Sequence, residues 1–122
     1  HLKDLVEITC EKGPEWKLFD EVSQEIFFNQ PLTIAPQSNR MGYRLDGVTL
    51  SLKEKTELIS TAVTHGIVQV TNEGHPIILM SDAQTIGGYP RIGRVSSKDI
   101  SLLAQCRPGV RIRFKINQQN SL

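Results

Sequence analysis

Seven residues late in the chain, Val110-Arg111-Ile112-Arg113-Phe114-Lys115-Ile116, alternate strictly between apolar and basic. Period-two alternation is the pattern of a β-strand with one face in a core and the other in water. On a helix the same residues would scatter their apolar groups around the axis. The chain is therefore expected to contain a sheet that is wet on one side. The basic run reads as that wet face and not as a nucleic-acid patch. The charge balance agrees: 14 Lys and Arg against 13 Asp and Glu give a formal net charge of +1, without the basic excess that a phosphate-binding surface requires.

Short strand signals recur along the rest of the chain. Leu5 to Cys10 reads as a strand stopped by Gly13-Pro14. Leu32 to Ala35 reads as another, as do Ile67 to Val70 and Pro76 to Met80, with Thr71-Asn72-Glu73-Gly74-His75 as the turn between the last two. Tyr43 to Leu45 and Val48 to Leu52 are expected to pair around Asp46-Gly47, because Asp-Gly suits the positive φ of a tight hairpin. Two segments have helical spacing. Trp16, Phe19, Val22, Ile26 and Phe27 recur at helical intervals, with Asp20 as a capping residue and Asn29-Gln30-Pro31 as the stop. Ser96 to Gln105 is the second helix, with Ser96 and Asp99 matching a capping box and Ile100, Leu103 and Ala104 facing inward. Lys53 to Glu57 is a polar connection. Many short strands with two short helices predict a mainly β fold, a barrel or closed sheet. At 122 residues this is one domain's worth of chain, long enough to build a core without disulfides or metal.

Several chemistries are disfavoured. Cys10 and Cys106 are far apart and outside any CxxC spacing, so they read as reduced thiols of a cytoplasmic protein. His65 and His75 lie near turns without HExxH spacing and read as surface histidines. There is no P-loop, no GxSxG elbow, no signal peptide, and no apolar run near the ~18 residues of a membrane span.

Two stretches are too polar and glycine-rich to be plain connections. In Gln37 to Gly47 (QSNRMGYRLDG), Arg40 and Arg44 offer planar forks suited to a carboxylate or phosphate, with Asn39 beside them. The structural alternative is that both clamp loop carbonyls or Asp46. In Ser81 to Gly93 (SDAQTIGGYPRIG), Asp82 offers a base or an orienting acid, and Gln84 and Thr85 offer donors and acceptors. Gly87-Gly88 lets backbone N–H groups approach an oxyanion, and Tyr89-Pro90 stiffens the exit. The structural alternative is a compact loop held by its own hydrogen bonds.

The order QSNRMGYRLDG, GIVQV, GHPIILMSDAQTIGGYPRIGRV, LLAQ and RPGVRIRFKI, running from about Ile8 to Ile116, resembles the second half of the family long described as allophanate hydrolase subunit 2. That family includes the C subunit of bacterial 5-oxoprolinase and the matching piece of the carboxyltransferase region of urea carboxylase. Its members usually carry Pro after the Ile-Gln-Val strand, where Thr71-Asn72-Glu73 stands here; the difference alters a turn. The resemblance implies a cyclophilin-like β-barrel, as a single domain over residues 1–122 that corresponds to the C-terminal half of a subunit about twice as long. It implies a hetero-oligomeric, ATP-dependent enzyme that opens the lactam of 5-oxo-L-proline to L-glutamate. The implied partners are a protein like the B subunit of 5-oxoprolinase, formerly described as a kinase inhibitor, and a LamB/YcsF-type subunit.

On that resemblance the substrate carboxylate falls to Arg40 or Arg44, an oxyanion or phosphate to the N–H groups of Gly87 and Gly88, and the lactam amide to Gln69 and Gln84. Asp82 orients water or a metal-bound phosphate. Asn39, Thr85, Tyr89 and Arg91 complete the substrate-binding set. Two rivals remain: a carboxyltransferase step of a biotin-dependent enzyme on urea or a similar amide, and a non-catalytic regulatory module.

Overall fold

The computed structural model describes residues 5–81 and 86–117. In chain order the elements are β1 (Leu5–Lys12), a 3-10 turn (Trp16–Leu18), α1 (Glu21–Asn29), β2 (Leu32–Ile34), β3 (Gly42–Asp46), β4 (Thr61–Ala62), β5 (Ile67–Val70), β6 (Pro76–Leu79), β7 (Ile86–Gly87), β8 (Arg91–Val95), α2 (Ser97–Ala104) and β9 (Arg111–Ile116). Seven of these strands close into a barrel in the order β1-β8-β5-β6-β3-β2-β9, while β4 and β7 form a separate two-stranded ribbon. The expected closed barrel with two short helices is therefore what forms. β1 and β9 pair in parallel, Leu5 opposite Arg111 through Cys10 opposite Ile116. The other barrel pairs are antiparallel.

The alternation in β9 has the expected consequence. Ile112 and Phe114 are wholly buried. Arg113 and Lys115 stay outside, where both meet Glu7 of β1. The interior is filled by Ile8, Leu32, Ile34, Leu45, Val68, Ile78 and Ile92, and α1 adds Phe27, which stacks on Phe114 at 4.6 Å between ring centroids. Phe27 has room because β8 presents Gly93. A Cβ there would lie 2.8 Å from Cys10 Sγ and 3.1 Å from the Phe27 ring.

α1 begins where the sequence suggests: Asp20 accepts a hydrogen bond from the Ser23 N–H at 2.8 Å. The helical spacing from Trp16 is nevertheless broken. Phe19 is extended, wholly buried, and bridged to Leu52. After that break the helix restarts with Val22 exposed and Ser23 buried, where Ser23 Oγ accepts from the Ser51 N–H.

The Asp46-Gly47 hairpin does not form. Gly47 has φ +117°, yet β3 pairs with β2 and β6, and residues 48–51 leave the sheet. Leu50 is buried there and its N–H donates to Gly74 O. The turn residue adopts the conformation its chemistry favours, but distant strands outcompete the local partner. Ser96 is the N-cap of α2 without a side-chain cap bond. Asp99 instead accepts the Thr9 N–H at 2.6 Å, tying α2 to β1. Leu103 is buried, whereas Ala104 is exposed. His75 is half-buried, and its Nδ1 is enclosed without a hydrogen-bond partner; the β5–β6 turn folds it inward.

The packing of Gly93 gives a test. Gly93→Ala is expected to cost about 1–3 kcal/mol by overpacking, seen as a lower urea midpoint at unchanged slope. Adding Phe27→Leu should cost less in the Gly93→Ala background than in wild type, because it vacates the contested space.

Candidate functional site

Cross-strand register aligns the two polar stretches on one outer face. Arg44 of β3 lies opposite Ile77 of β6, Ile77 opposite Gln69 of β5, and Gln69 opposite Arg91 of β8. Cross-strand partners share a face, so these four form one row. At ~4.8 Å per strand the Arg44 and Arg91 backbones stand roughly 14 Å apart, with Gln69 between. The alternate positions Val68 and Val70 face the core. Gln69 faces outward and is still only 4% exposed, and its Nε2 has no hydrogen-bond partner among the described residues. A buried amide left unpaired costs about 1–3 kcal/mol. Such a group marks a place where a ligand acceptor would be welcome.

The first stretch also touches the segment that leads into the second. Met80, just before Ser81, donates its N–H to Met41 O at 3.1 Å. The turn leading into β3 is shaped by Asn39, whose Oδ1 accepts the Met41 N–H at 2.8 Å. Arg40 is exposed. Arg44 is exposed as well, and none of the described residues hydrogen-bonds to its guanidinium; its backbone is held by Ser38. The suggested clamp onto Asp46 is not seen for Arg44.

β8 carries an irregularity at this face. Val68 pairs with Gly93 and Gln69 with Arg91, so Ile92 is an extra residue on β8. Bulges re-aim side chains, and here Ile92 and Gly93 both serve the core while Arg91 turns outward. Arg91 is then seized by Glu15: Nε donates to Oε1 at 2.8 Å, Nη2 to Oε2 at 2.7 Å, and the Arg91 N–H to Oε1 at 2.9 Å. The backbone reinforces the grip, since Gly13 N–H donates to Ile92 O and Glu15 N–H to Arg91 O. Gly13 must be glycine for this approach, because a Cβ would sit 2.4 Å from Arg91 O. The Arg91 side chain holds Glu15's carboxyl below its usual 4.5, and the hydrogen bonds to Glu15 raise Arg91 further above its ordinary value.

Two clefts open near this face, and of the row Arg91 lines one of them. One of about 400 Å3 lies between the barrel wall and the segment at β4; Ile67, Arg91 and Arg94 line one side, Ala62, Val63 and Thr64 the other. Arg94 faces Glu11 at 3.8 Å. A larger one of about 900 Å3 opens between Lys55 to Leu58, Thr71 to Gly74, and Gly88 to Pro90. A Cβ at Gly88 would lie 3.4 Å from the Ser60 hydroxyl and 3.7 Å from the Leu58 carbonyl, and Tyr89 is 40% exposed. Gly87 lies in β7, pairing with Thr61. The stretch from Ser81 to Gly93 thus contains a short strand that pairs with β4. Asp82, Gln84 and Thr85 lie outside the described residues.

Neither cysteine is placed as a nucleophile. Burial pushes Cys10 from 9.0 to about 12, and burial also raises Cys106. Both thiols are free. Tyr43, within RMGYRL, is structural: its hydroxyl donates to Cys106 O at 3.1 Å and Ala104 O at 3.3 Å. Among the described residues no cluster of three metal-ligating side chains exists, and no helix is long and apolar enough to cross a membrane. Sequence reasoning missed Glu15. Gly13-Pro14 reads only as a strand stop, and nothing local ties Glu15 to a residue 76 positions away.

With this geometry in view, similarity to known proteins gives the class. The family model of the carboxyltransferase domain, subdomain A and B, matches residues 2–116. The chain belongs to that family. Within it, the chain is 48% identical over 102 residues to the C subunit of 5-oxoprolinase from Escherichia coli, covering 84% of this chain and 33% of that protein. The Haemophilus influenzae protein of the same name is 46% identical over 101 residues, covering 83% and 33%. The chain thus spans about a third of the length of these curated relatives. The urea amidolyase of K. lactis shares the fold, with a TM-score of 0.86 at 24% identity over 93% of this chain and 8% of that one.

Glu15 gives a pH test. Its folded-state pKa is lowered, so its contribution is complete above the unfolded value near 4.5 and is lost as pH falls through the folded value. Glu15→Gln should lower stability by about 1–3 kcal/mol at pH 7. The gap from wild type should narrow steadily below pH 4.5 in thermal melts. Equal gaps at pH 7 and pH 3 would rule this account out.

Proposed function

We propose that this chain is part of a subunit of ATP-dependent 5-oxoprolinase, and that the outer face of β3, β6, β5 and β8 forms one wall of its lactam site. The observation that carries this is the 48% identity to the C subunit of 5-oxoprolinase over 84% of the chain. The local chemistry supports it. A five-membered lactam bearing a carboxylate needs a donor for its carbonyl and a cation for its carboxylate. Gln69 supplies a buried donor with nothing to bond. Arg44 supplies an exposed fork on the same face, with β6 between its strand and that of Gln69.

A lactam carbonyl is a poor electrophile. Phosphorylation of its oxygen by ATP activates it for attack by water, giving glutamate, ADP and phosphate. In this reading Gly87 and Gly88 face the developing oxyanion or phosphate with backbone N–H groups. Asp82 orients water or phosphate, and Gln84 and Thr85 complete the amide contacts. Arg40, Asn39 and Tyr89 belong to the rim. ATP is bound by the assembled enzyme, with a partner like the B subunit of 5-oxoprolinase and a LamB/YcsF-type subunit, in the cytoplasm.

A second reading follows from the family itself: transfer of a carboxyl group from carboxybiotin to an amide such as urea. The carboxyltransferase family match and the fold shared with urea amidolyase favour it. Both reactions act on an amide.

The test is co-expression of the complete subunit with its partners, assayed for ATP-dependent glutamate release from 5-oxoproline. Wild type should turn over without biotin. Gln69→Leu and Arg44→Gln should each lower kcat/KM by ~10–100-fold, the loss of about 1.4–2.8 kcal/mol of transition-state binding, with Arg44→Gln acting mainly on KM. No glutamate from an assembled complex, together with avidin-sensitive carboxylation of urea, would replace this reading with the second.

A further inference from the structure

Arg91 has its fork taken by a bidentate carboxylate, and the manner of its capture points to a role for Glu15. We propose that Glu15 is a positioning residue that converts Arg91 from an anion clamp into a charge-compensated donor for a neutral amide carbonyl. This deepens the lactam-site reading above and rests on it for the identity of the amide.

A guanidinium has five N–H donors. Glu15 takes the Nε hydrogen and one on Nη2. The Nη1 pair and the remaining Nη2 hydrogen are left. Arg91 lines the 400 Å3 cleft and Glu15 does not, so these remaining donors are the ones a ligand in the cleft could use. An unpaired arginine prefers carboxylate or phosphate. One already neutralised by a bidentate carboxylate, with side-chain exposures of only 26% for Arg91 and 15% for Glu15, keeps its directional donors and loses most of its pull on anions. Of the cleft's other cations, Arg94 faces Glu11 at 3.8 Å, and Lys12 lies over the Trp16 ring at 5.4 Å and keeps its charge. Both arginines on the walls thus have a carboxylate opposite.

Gln69 pairs with Arg91 in the register and holds an Nε2 without a partner among the described residues, but it does not line this cleft; the donor offered in the cleft is Arg91. Glu15 is also too firmly anchored to swing away. Its own N–H is bonded to Arg91 O, and Gly13 sits so close to the Arg91 carbonyl that no other residue fits.

The experiment uses the complete subunit, alone and assembled with its partners, with Glu15→Gln, Glu15→Asp, Arg91→Gln and the Glu15→Gln/Arg91→Gln pair, all below every melting midpoint. Inorganic phosphate is the anion probe. Glu15→Gln frees the guanidinium, so kcat should fall at least ~10-fold with KM little raised, and phosphate affinity measured by calorimetry should rise ~10-fold over wild type. Arg91→Gln should lose kcat without gaining phosphate affinity, and the double variant should match it. Glu15→Asp keeps the charge but spoils the fork, so kcat should fall while phosphate affinity stays low; this variant carries the test if Glu15→Gln does not fold. Wild-type kcat in either Glu15 variant overturns the proposal. So does a kcat loss in Glu15→Gln without the phosphate gain, which is the mark of a merely structural residue. If wild-type enzyme makes no glutamate, the lactam reading fails on its own, and the phosphate titration still decides whether Glu15 masks Arg91.

Discussion

The barrel depends on β1 meeting β9. These strands lie at opposite ends of the described chain and run in parallel over six residue pairs, Leu5 with Arg111 through Cys10 with Ile116. Parallel neighbours cannot be joined by a tight turn, so everything between them must travel round the barrel before the pair can close. That closure leaves no free barrel edge. It also fixes the far end of β1, which pairs with β8 from Cys10 to Lys12 and then delivers Gly13, Pro14 and Glu15 against Arg91. The strand that seals the barrel is thus the strand that sets the site's electrostatics.

The core and the outer face obey different rules. Inside, one missing side chain makes room for another: Gly93 leaves the space that Phe27 fills on its way to Phe114. Outside, charge is managed by pairing, in Glu7 with Arg113 and Lys115, Glu11 with Arg94, and Glu15 with Arg91. Solvent-exposed pairs of this kind contribute little to stability. The Glu15–Arg91 pair differs because it is bidentate, half-enclosed and tied to two backbones. Among the described residues, Gln69 Nε2 is one of three buried side-chain atoms without a hydrogen-bond partner, with His75 Nδ1 and Ser96 Oγ.

Much of the architecture was legible in the chain's local chemistry. The alternation of β9, the turn between β5 and β6, the Asp20 cap and the stop at Gln30-Pro31 all act over a few residues, and each appears where expected. Failures occurred where a local signal competed with a distant partner. Asp46-Gly47 adopts its positive φ but turns the chain out of the sheet, because β2 and β6 claim both edges of β3. Asp99 gives its carboxylate to Thr9 rather than to its own helix. The helical spacing from Trp16 yields to the burial of Phe19.

For the site, the sequence by itself determined the inventory: Arg40, Arg44, Gln69, Tyr89, Arg91 and a run of glycines, polar groups of types that bind amides and anions. The tertiary structure alone decided which of them stand together and in what electrical state. Register across four strands put Arg44, Gln69 and Arg91 in one row. A carboxylate from 76 residues away neutralised Arg91, while Arg44 is exposed. The reason is physical. Local sequence dictates the direction and period of side chains within an element, but whether a charge is bare or compensated depends on what packs against it, and that is set by chain closure at long range.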